Sequence, residues 1–249
     1  MGARSCLSAL LLAGVLSGCG LADDARVECR CTVDTDVILF PACLDAVLSA
    51  ERPDAANPFA ARLPDCPSGK RLSLLEPTRA EFVLFNIKTT VEGFSPLQYL
   101  DQLAEEFFFI PEPEGMDLYL EVYHPPEGYV AEQDTLWTRA QERTFAVGVL
   151  DRSRFQRVEF RRWYESSKDQ RTVSEDGRSE VFFFPYELDF VPQAGSGDQE
   201  VLGIKGRMEV EVYTPTAENP VWSLRRWQDF RDAASAKRTW TEARAIFSR

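Results

Sequence analysis

Four cysteines are the residues whose type and spacing most directly predict covalent chemistry in this sequence. Cys29 and Cys31 are separated by one residue, and Cys43 and Cys66 follow within the first third of the chain. An even number of cysteines favours disulfides when the chain also carries the export signal described below. A metal site is the alternative, but Cys-x-Cys is not the usual zinc spacing and no histidine lies nearby.

The four cysteines allow three pairings. A bond between Cys29 and Cys31 would close a very small and strained ring. Two pairings remain open, which are Cys29–Cys43 with Cys31–Cys66, and Cys29–Cys66 with Cys31–Cys43. Either of them would staple residues 29–66 into a compact knot.

His124 is the only histidine and is followed by two prolines in a loop-like segment. No predicted helix or strand positions its imidazole and no nucleophile is paired with it, so we interpret it as an exposed loop residue rather than a general base. One histidine leaves too few nitrogen and sulfur ligands for a zinc hydrolase. There is also no glycine-rich phosphate loop before a helix. The sequence therefore predicts neither a metal nor a cofactor.

The first 18 residues have the pattern of a secretory signal, in which Arg4 precedes an apolar run of 13 residues. That run is too short for a membrane helix, which needs about 20 residues. The stretch Leu16-Ser17-Gly18-Cys19 resembles the lipobox of bacterial lipoproteins. The resemblance implies cleavage before Cys19 and acylation of its thiol, with palmitate among the chains. A signal peptide that is cleaved without lipidation is the alternative.

The implied acyl chains would be the protein's route to the membrane. Each buried methylene contributes about 0.8 kcal/mol, so two or three chains would hold the protein essentially permanently. Gly20 follows the cysteine. In lipoproteins an aspartate there often retains the protein in the inner membrane, so the resemblance implies the periplasmic face of a bacterial outer membrane.

The composition indicates a folded, acidic protein. Hydrophobic residues make up 44% of the chain and aromatic residues 12%, which is enough for a proper core. The formal net charge is −12, and loss of Arg4 with the signal makes it −13. Such a chain repels phosphate backbones and anionic lipid head groups, so nucleic acid is excluded as a partner. The membrane is then reached through lipid rather than through a basic surface.

Three segments are predicted along the chain: a signal peptide (1–18), a lipidated, cysteine-rich appendage (19–73) and one α+β domain (74–249). Ser or Thr followed three residues later by Glu or Gln predicts helix starts at Thr78, Ser95, Thr138 and Thr239. A further helix is predicted around residues 37–50. Strands are predicted over residues 107–110, 154–166, 181–192, 201–214 and 219–229, with an ambiguous strand-like piece at 117–123.

The order helix, helix, strand, helix and then four long strands resembles the nuclear transport factor 2-like superfamily, also called cystatin-like. Local support comes from Leu136-Trp137-Thr138 before a helix and from the closing segment with Trp222, Trp227 and Trp240. The resemblance covers residues 74–247 and implies a strongly curved antiparallel sheet that wraps around helices as a cone with a pocket. Thr241 departs from the glycine of the similar proteins, and residues 112–134 are an insertion.

The resemblance also implies where chemistry would take place. The superfamily contains isomerases, dehydratases and epoxide hydrolases whose active sites in the cone use a buried Asp with Tyr, His or Arg. Candidates here are Asp229 with Arg226 and Tyr186. The alternative role for Asp229 is structural, as an acceptor for the indole of Trp240 or for the first amides of the last helix.

These observations predict an exported, membrane-anchored lipoprotein with a non-catalytic role. We expect it to bind a small ligand or an envelope protein through the cone-shaped domain. One alternative is an isomerase-, dehydratase- or hydrolase-like enzyme with a buried carboxylate in the cone. The other is a structural component of the envelope, for which a large exposed apolar patch would be evidence.

Overall fold

The computed structural model describes residues 29–32, 34–46, 64–69, 71–122, 137–196 and 200–248. Within them the helices are α1 (Cys43–Ala46), α2 (Ala80–Glu92), α3 (Pro96–Leu100), α4 (Met116–Val122), α5 (Arg139–Val149) and α6 (Trp240–Phe247). The strands are β1 (Leu103–Ile110), β2 (Trp137–Thr138), β3 (Phe155–Arg162), β4 (Gln170–Val173), β5 (Ser179–Pro192), β6 (Leu202–Tyr213) and β7 (Ser223–Arg231).

The strands form one open sheet in the order β2-β1-β7-β6-β5-β3, and β4 also pairs with β5. All neighbours are antiparallel except β1 and β7, which run parallel. The strands β3 and β4 share β5, with β3 along its second half and β4 along its first. The predicted α+β class, with helices against a curved and mainly antiparallel sheet, is confirmed.

One face of the sheet, called here the inner face, packs against the helices. The long strands bury every second residue, as in Phe182, Phe184, Tyr186, Leu188 and Phe190 of β5. Successive strand side chains point to opposite faces, so this alternation places all five in the core. The residues between them lie on the opposite, outer face.

The predicted helix starts hold at three of the four positions, and two of them have the expected capping box. Thr138 and Thr239 form capping boxes with Gln141 and Glu242. Helix α3 begins directly after Ser95 as predicted, and the Ser95 hydroxyl donates to Gln98 Oε1 at 3.0 Å. The capping box does not form there, because the Gln98 amide exchanges two hydrogen bonds with the backbone of Leu72. Helix α2 begins after Arg79, without a side-chain cap.

Two other predictions need correction. Residues 117–123 were expected to be strand-like, but the described part is helix α4, which packs against α6. A helix around residues 37–50 was expected, but the described part is helical only at α1 and is preceded by turns. Strand β4, whose residues are all exposed, was not predicted. No helix among the described residues is long and apolar enough to span a membrane.

The predicted disulfide knot is confirmed, with the pairing Cys29–Cys66 and Cys31–Cys43. Cys43 and Cys66 are buried with Val37 in a small core of their own. Backbone hydrogen bonds from Arg30 N to Pro64 O (2.7 Å) and from Cys66 N to Arg30 O (2.9 Å) join the two sides of the knot.

Candidate functional site

Tyr186 and Asp229, two of the three predicted pocket residues, meet on the inner face of the sheet. The Tyr186 hydroxyl donates to Asp229 Oδ1 at 2.7 Å. Asp229 Oδ2 accepts from the backbone N–H and the hydroxyl of Thr241, both at 2.8 Å. The backbone N–H of Trp240 donates to the Tyr186 hydroxyl at 3.1 Å. The pair therefore accepts the first amides of α6, which no helical carbonyl can satisfy.

Burial shifts the pKa values of both side chains, Asp229 and Tyr186. It raises the pKa of Asp229 above its ordinary value, although hydrogen bonds from Tyr186 and Thr241 act in the opposite direction. Burial, followed by the charge of Asp229, raises the pKa of Tyr186 well above its ordinary value. The phenol therefore stays protonated and remains a hydrogen-bond donor to the carboxyl group.

Arg226 does not join this pair. It lies on the outer face, where its guanidinium binds Glu209 at 2.6 Å and Glu211 at 3.5 Å. The cause is strand alternation, because Arg226 is three residues from Asp229 in a stretch of β7 with no register shift, so the two side chains point to opposite faces. A shift of register beside Arg225, on the other side of Arg226, places Leu224 and Trp227, which are three residues apart, both on the inner face.

The close approach of β6 to the Tyr186 hydroxyl depends on Gly206. A Cβ there would lie 2.5 Å from Tyr186 Oη and 2.6 Å from the Phe230 carbonyl oxygen. We expect Gly206→Ala to lower the free energy of unfolding by about 1–3 kcal/mol, because the backbone carbonyl cannot move aside cheaply. Urea denaturation measures this.

Gly203→Ala is the matched control in the same strand. A Cβ there would meet the flexible side chain of Lys237 at 3.1 Å and Asp189 Oδ1 at 3.2 Å, so a small effect is expected. Equal losses in the two variants would contradict the proposed close contact at Gly206.

A second buried polar cluster was not predicted. Arg244 of α6 makes a bidentate ion pair with Glu142 of α5, with both nitrogen–oxygen distances at 2.8 Å. The Tyr99 hydroxyl donates to Glu142 Oε1 at 2.5 Å, and the Trp137 indole donates to Glu142 Oε2 at 2.6 Å. The Arg244 and Glu142 side chains are both fully buried.

Arg244 is also enclosed by aromatic rings, which we call the aromatic cage: Phe109, Trp137, Phe145, Trp227 and Trp240. Its Cζ lies 3.8 Å from the centroid of Phe109 and 4.6 Å from that of Trp227. Such faces attract a guanidinium electrostatically. The Arg244 Nη1 atom has no hydrogen-bond partner among the described residues, so ring faces replace that partner.

The charge state of this cluster follows from its contacts. Burial lowers the pKa of Arg244, but Glu142 and other nearby groups outweigh it, so the pKa is raised and the guanidinium stays charged. Burial and then Glu142 raise the pKa of Tyr99 well above its ordinary value. No sequence signal marked Glu142 or Arg244, because each looks like an ordinary polar residue on an amphipathic helix.

The inner side of the domain is thus packed with aromatic rings and closed polar clusters. The carboxylates of Asp229 and Glu142 both accept hydrogen bonds from side chains fixed in the core. In this arrangement both stabilise the docking of α6, and neither faces solvent.

A surface cleft of about 70 Å³ lies between the knot and the corner that joins α2 to α3. Val37, Phe94 and Leu97 give it apolar walls, and Arg71 and Arg152 supply cationic groups. Arg71 is paired with Asp34 at 2.7 Å. Within the described residues, the Arg152 guanidinium contacts the Gly93 carbonyl oxygen at 2.6 Å and the Phe94 ring at 5.2 Å, and no carboxylate.

The backbone of Phe94 adds a second unusual feature to the cleft. Its φ is 52°, and among the described non-glycine residues it is the one with a positive value. Such a conformation costs about 1–3 kcal/mol and concentrates at functional sites. Sequence reasoning missed this position, since nothing in the side-chain pattern predicts a left-handed phenylalanine.

Two residues singled out from the sequence, Cys19 and His124, lie outside the described residues. The lipidation of Cys19 therefore stays a prediction, as does the exposed position of His124.

No protein-family model matches this chain, and no curated protein sequence matches it either. Among solved structures, it is similar to a nuclear transport factor 2-like superfamily protein from Salmonella enterica serovar Typhimurium, with 12% identity, a TM-score of 0.39, and coverage of 63% of this chain and 91% of that one. Proteins of the superfamily expected from the sequence are thus among the structures it resembles.

Two similar structures come from Novosphingobium aromaticivorans. One is described as a candidate aromatic ring hydroxylase, with 16% identity, a TM-score of 0.42, and coverage of 63% of this chain and 88% of that one. The other is described as a candidate scytalone dehydratase, with 8% identity, a TM-score of 0.42, and coverage of 64% and 89%.

Proposed function

We propose that this protein is a non-catalytic lipoprotein of the cell envelope that binds a small ligand with an anionic group on an apolar body. The proposed site is the cleft between the knot and the α2–α3 corner. The observation that carries the proposal is Arg152, a cation that meets no carboxylate among the described residues and is stacked on the strained Phe94.

Two arginines and two aspartates, Asp34 and Asp36, line the cleft, so an anion is favoured there by Arg152 itself rather than by a net positive charge. In a chain with a net charge of −12, most exposed arginines of the described part are paired with acidic residues, as Arg71 is with Asp34. An anionic group at Arg152 would gain a charge-assisted hydrogen bond, which contributes about 1.5–3 kcal/mol. The apolar walls would contact part of the ligand's apolar body.

Hexanoate is a suitable probe, with hexan-1-ol as its uncharged counterpart. We expect calorimetric titration to show that hexanoate binds more tightly than hexan-1-ol. Arg152→Glu should weaken hexanoate binding at least about ten-fold, which corresponds to about 1.4 kcal/mol. Equal binding of the acid and the alcohol, or no binding of either, would contradict the proposal.

Arg178→Glu provides a matched control. Arg178 is also stacked on an aromatic ring at 5.2 Å, that of Tyr213, and it also donates to a backbone carbonyl. It lies outside the cleft, so its replacement should leave hexanoate binding unchanged. A similar loss in both variants would indicate a general charge effect rather than a site.

An enzyme is the second candidate, favoured by the raised pKa of Asp229 beside the Tyr186 hydroxyl. A buried carboxyl group of this kind is suited to proton transfer. This candidate requires a substrate to reach Asp229, so Asp229→Asn would abolish turnover while the substrate could still bind. Our proposal expects Asp229→Asn to leave hexanoate binding unchanged.

Attachment through Cys19 is the remaining part of the proposal. Labelled palmitate should enter the wild-type chain and not Cys19→Ala, and the variant should leave the membrane fraction. Gly20 and the lipobox-like Leu16-Ser17-Gly18-Cys19 support anchoring at the periplasmic face of an outer membrane. Label that enters both chains equally would contradict it.

A further inference from the structure

The two disulfides of the knot lie against each other. Cys43 Sγ and Cys66 Sγ belong to different disulfides and are only 3.9 Å apart. The sulfurs of Cys31, Cys43 and Cys66 all lie within 4.8 Å of one another. A sulfur released from one disulfide is therefore already in contact with the other.

The four cysteines differ in their access to solvent. Cys43 and Cys66 are 0% and 3% exposed, whereas Cys29 and Cys31 are partly exposed. Each disulfide thus joins one partly exposed cysteine to one buried cysteine. An external thiolate can attack only at the accessible end, and such an attack releases the buried sulfur as the leaving group.

We propose that the knot is a dithiol–disulfide exchange site, which takes two electrons from an external dithiol and keeps its remaining disulfide between Cys43 and Cys66. This activity is independent of the ligand cleft and of the lipid anchor.

The exchange has three steps. One thiol of the dithiol loses its proton and the thiolate attacks Cys31 Sγ, which forms a mixed disulfide and releases the Cys43 thiolate. Cys43 attacks Cys66 Sγ, which forms Cys43–Cys66 and releases the Cys29 thiolate. The second thiol of the dithiol, as its thiolate, then attacks the dithiol sulfur of the mixed disulfide and displaces the Cys31 thiolate. The dithiol leaves as its cyclic disulfide, and its two protons end on Cys29 and Cys31, which become the reduced pair.

The backbone can hold the sulfurs in place during this change. The hydrogen bonds between Arg30 and the segment Pro64–Cys66 do not involve the side chains of the cysteines. Further bonds from Asp36 N to Pro67 O and from Gly69 N to Asp34 O, both at 3.0 Å, continue the same contact. The buried pair therefore stays close while the covalent pairing moves.

Partial reduction of the detergent-extracted wild-type protein tests the proposal. One equivalent of dithiothreitol is added under native conditions, and free thiols are then alkylated. Trypsin places Cys29, the pair Cys31 and Cys43, and Cys66 on three separate peptides, because Arg30 lies between the first two cysteines and Arg62 precedes the peptide that contains Cys66. Mass spectrometry without further reduction then identifies each pairing.

We expect peptides 31–62 and 63–70 to be joined through Cys43–Cys66, with Cys31 and Cys29 both alkylated. Independent reduction would instead leave peptide 27–30 joined to 63–70, or a Cys31–Cys43 bond inside peptide 31–62. Either of these as the main two-thiol product would overturn the proposal.

Cys31→Ser is a second test that needs no reductant. It leaves Cys43 as a free thiol beside the Cys29–Cys66 bond, so we expect the isolated variant to carry Cys43–Cys66 and a free Cys29. The double variant Cys31→Ser/Cys43→Ser has no internal thiol and should retain Cys29–Cys66. If Cys31→Ser also retains Cys29–Cys66, the exchange does not occur. If Cys31→Ser fails to fold, partial reduction of the wild-type protein still tests whether the exchange takes place.

Discussion

Replacement of Arg244 by alanine is expected to lower the free energy of unfolding by about 3–5 kcal/mol. The change leaves the carboxylate of Glu142 in a closed interior without the cation that pairs with it, and loss of one partner of a buried ion pair has a cost of this size. It also removes the central group of the aromatic cage. Urea denaturation monitored by tryptophan fluorescence measures the loss.

A double variant separates loss of the ion pair from simple loss of volume. The double variant Glu142→Gln/Arg244→Met keeps the hydrogen-bonding side chain for Tyr99 and Trp137 but buries no charge. We expect it to be more stable than Arg244→Ala, because a well-packed apolar replacement of a buried ion pair is often nearly neutral. Arg178→Ala on the surface should cost at most about 0.5 kcal/mol. A loss below that value in Arg244→Ala would contradict the buried pair.

Replacement of Asp229 by alanine is expected to cost about 3 kcal/mol. It leaves the Tyr186 hydroxyl and the N–H and hydroxyl of Thr241 without their acceptor, and each unsatisfied buried donor costs about 1–3 kcal/mol. Asp229→Asn keeps one acceptor oxygen and should cost less, about 1–2 kcal/mol. Asp189→Asn is the control, because its carboxylate lies on the outer face in partly exposed ion pairs with Lys237 and Arg161.

The difference in stability between the wild type and Asp229→Asn should depend on pH, and the raised pKa of Asp229 sets the direction of this dependence. The folded-state pKa of Asp229 is raised from its ordinary value of 3.8, so the folded protein retains this proton after the unfolded chain has lost it. The stability contributed by Asp229 is therefore fully present below about pH 3.8 and declines as the pH rises through the folded pKa. The advantage of the wild type over Asp229→Asn should shrink between pH 3.5 and 7. An advantage that grows with pH would show that the pKa is lowered instead.

The elements that the sequence predicted correctly are those whose signals lie within a few residues. The alternation in β5 and β6 marks an inner and an outer face, and the capping boxes at Thr138 and Thr239 mark helix starts. The disulfide knot follows from the count and position of the cysteines. The pairing of the cysteines did not follow from the sequence, because two arrangements avoid the small ring that a Cys29–Cys31 bond would close.

Of the three residues predicted for the candidate site, Tyr186 and Asp229 come together and Arg226 does not. Tyr186 and Asp229 meet because they lie at inner-face positions of β5 and β7, with Gly206 of β6 between them. Arg226 was expected beside them, but it is three residues from Asp229 in a stretch of β7 without a bulge, so strand alternation turns it outward. The faces could not be assigned from the sequence, because a bulge between the two residues would have reversed them. The helix predicted after Ser95 is present, but its capping box is not, because the side-chain amide of Gln98 bonds the backbone of Leu72 instead of the N–H of Ser95.

Local preferences follow from the amino-acid sequence alone: which segments form strands or helices, which cysteines can be oxidised, and how acidic the surface is. The ion pair between Glu142 and Arg244, 102 residues apart inside the aromatic cage, arises from packing in three dimensions. The contact between the two disulfides and the contact of Arg152 with the strained Phe94 arise in the same way. Such pairings depend on how helices and strands pack, and the free energy that selects among packings is spread over the whole core rather than encoded in neighbouring residues.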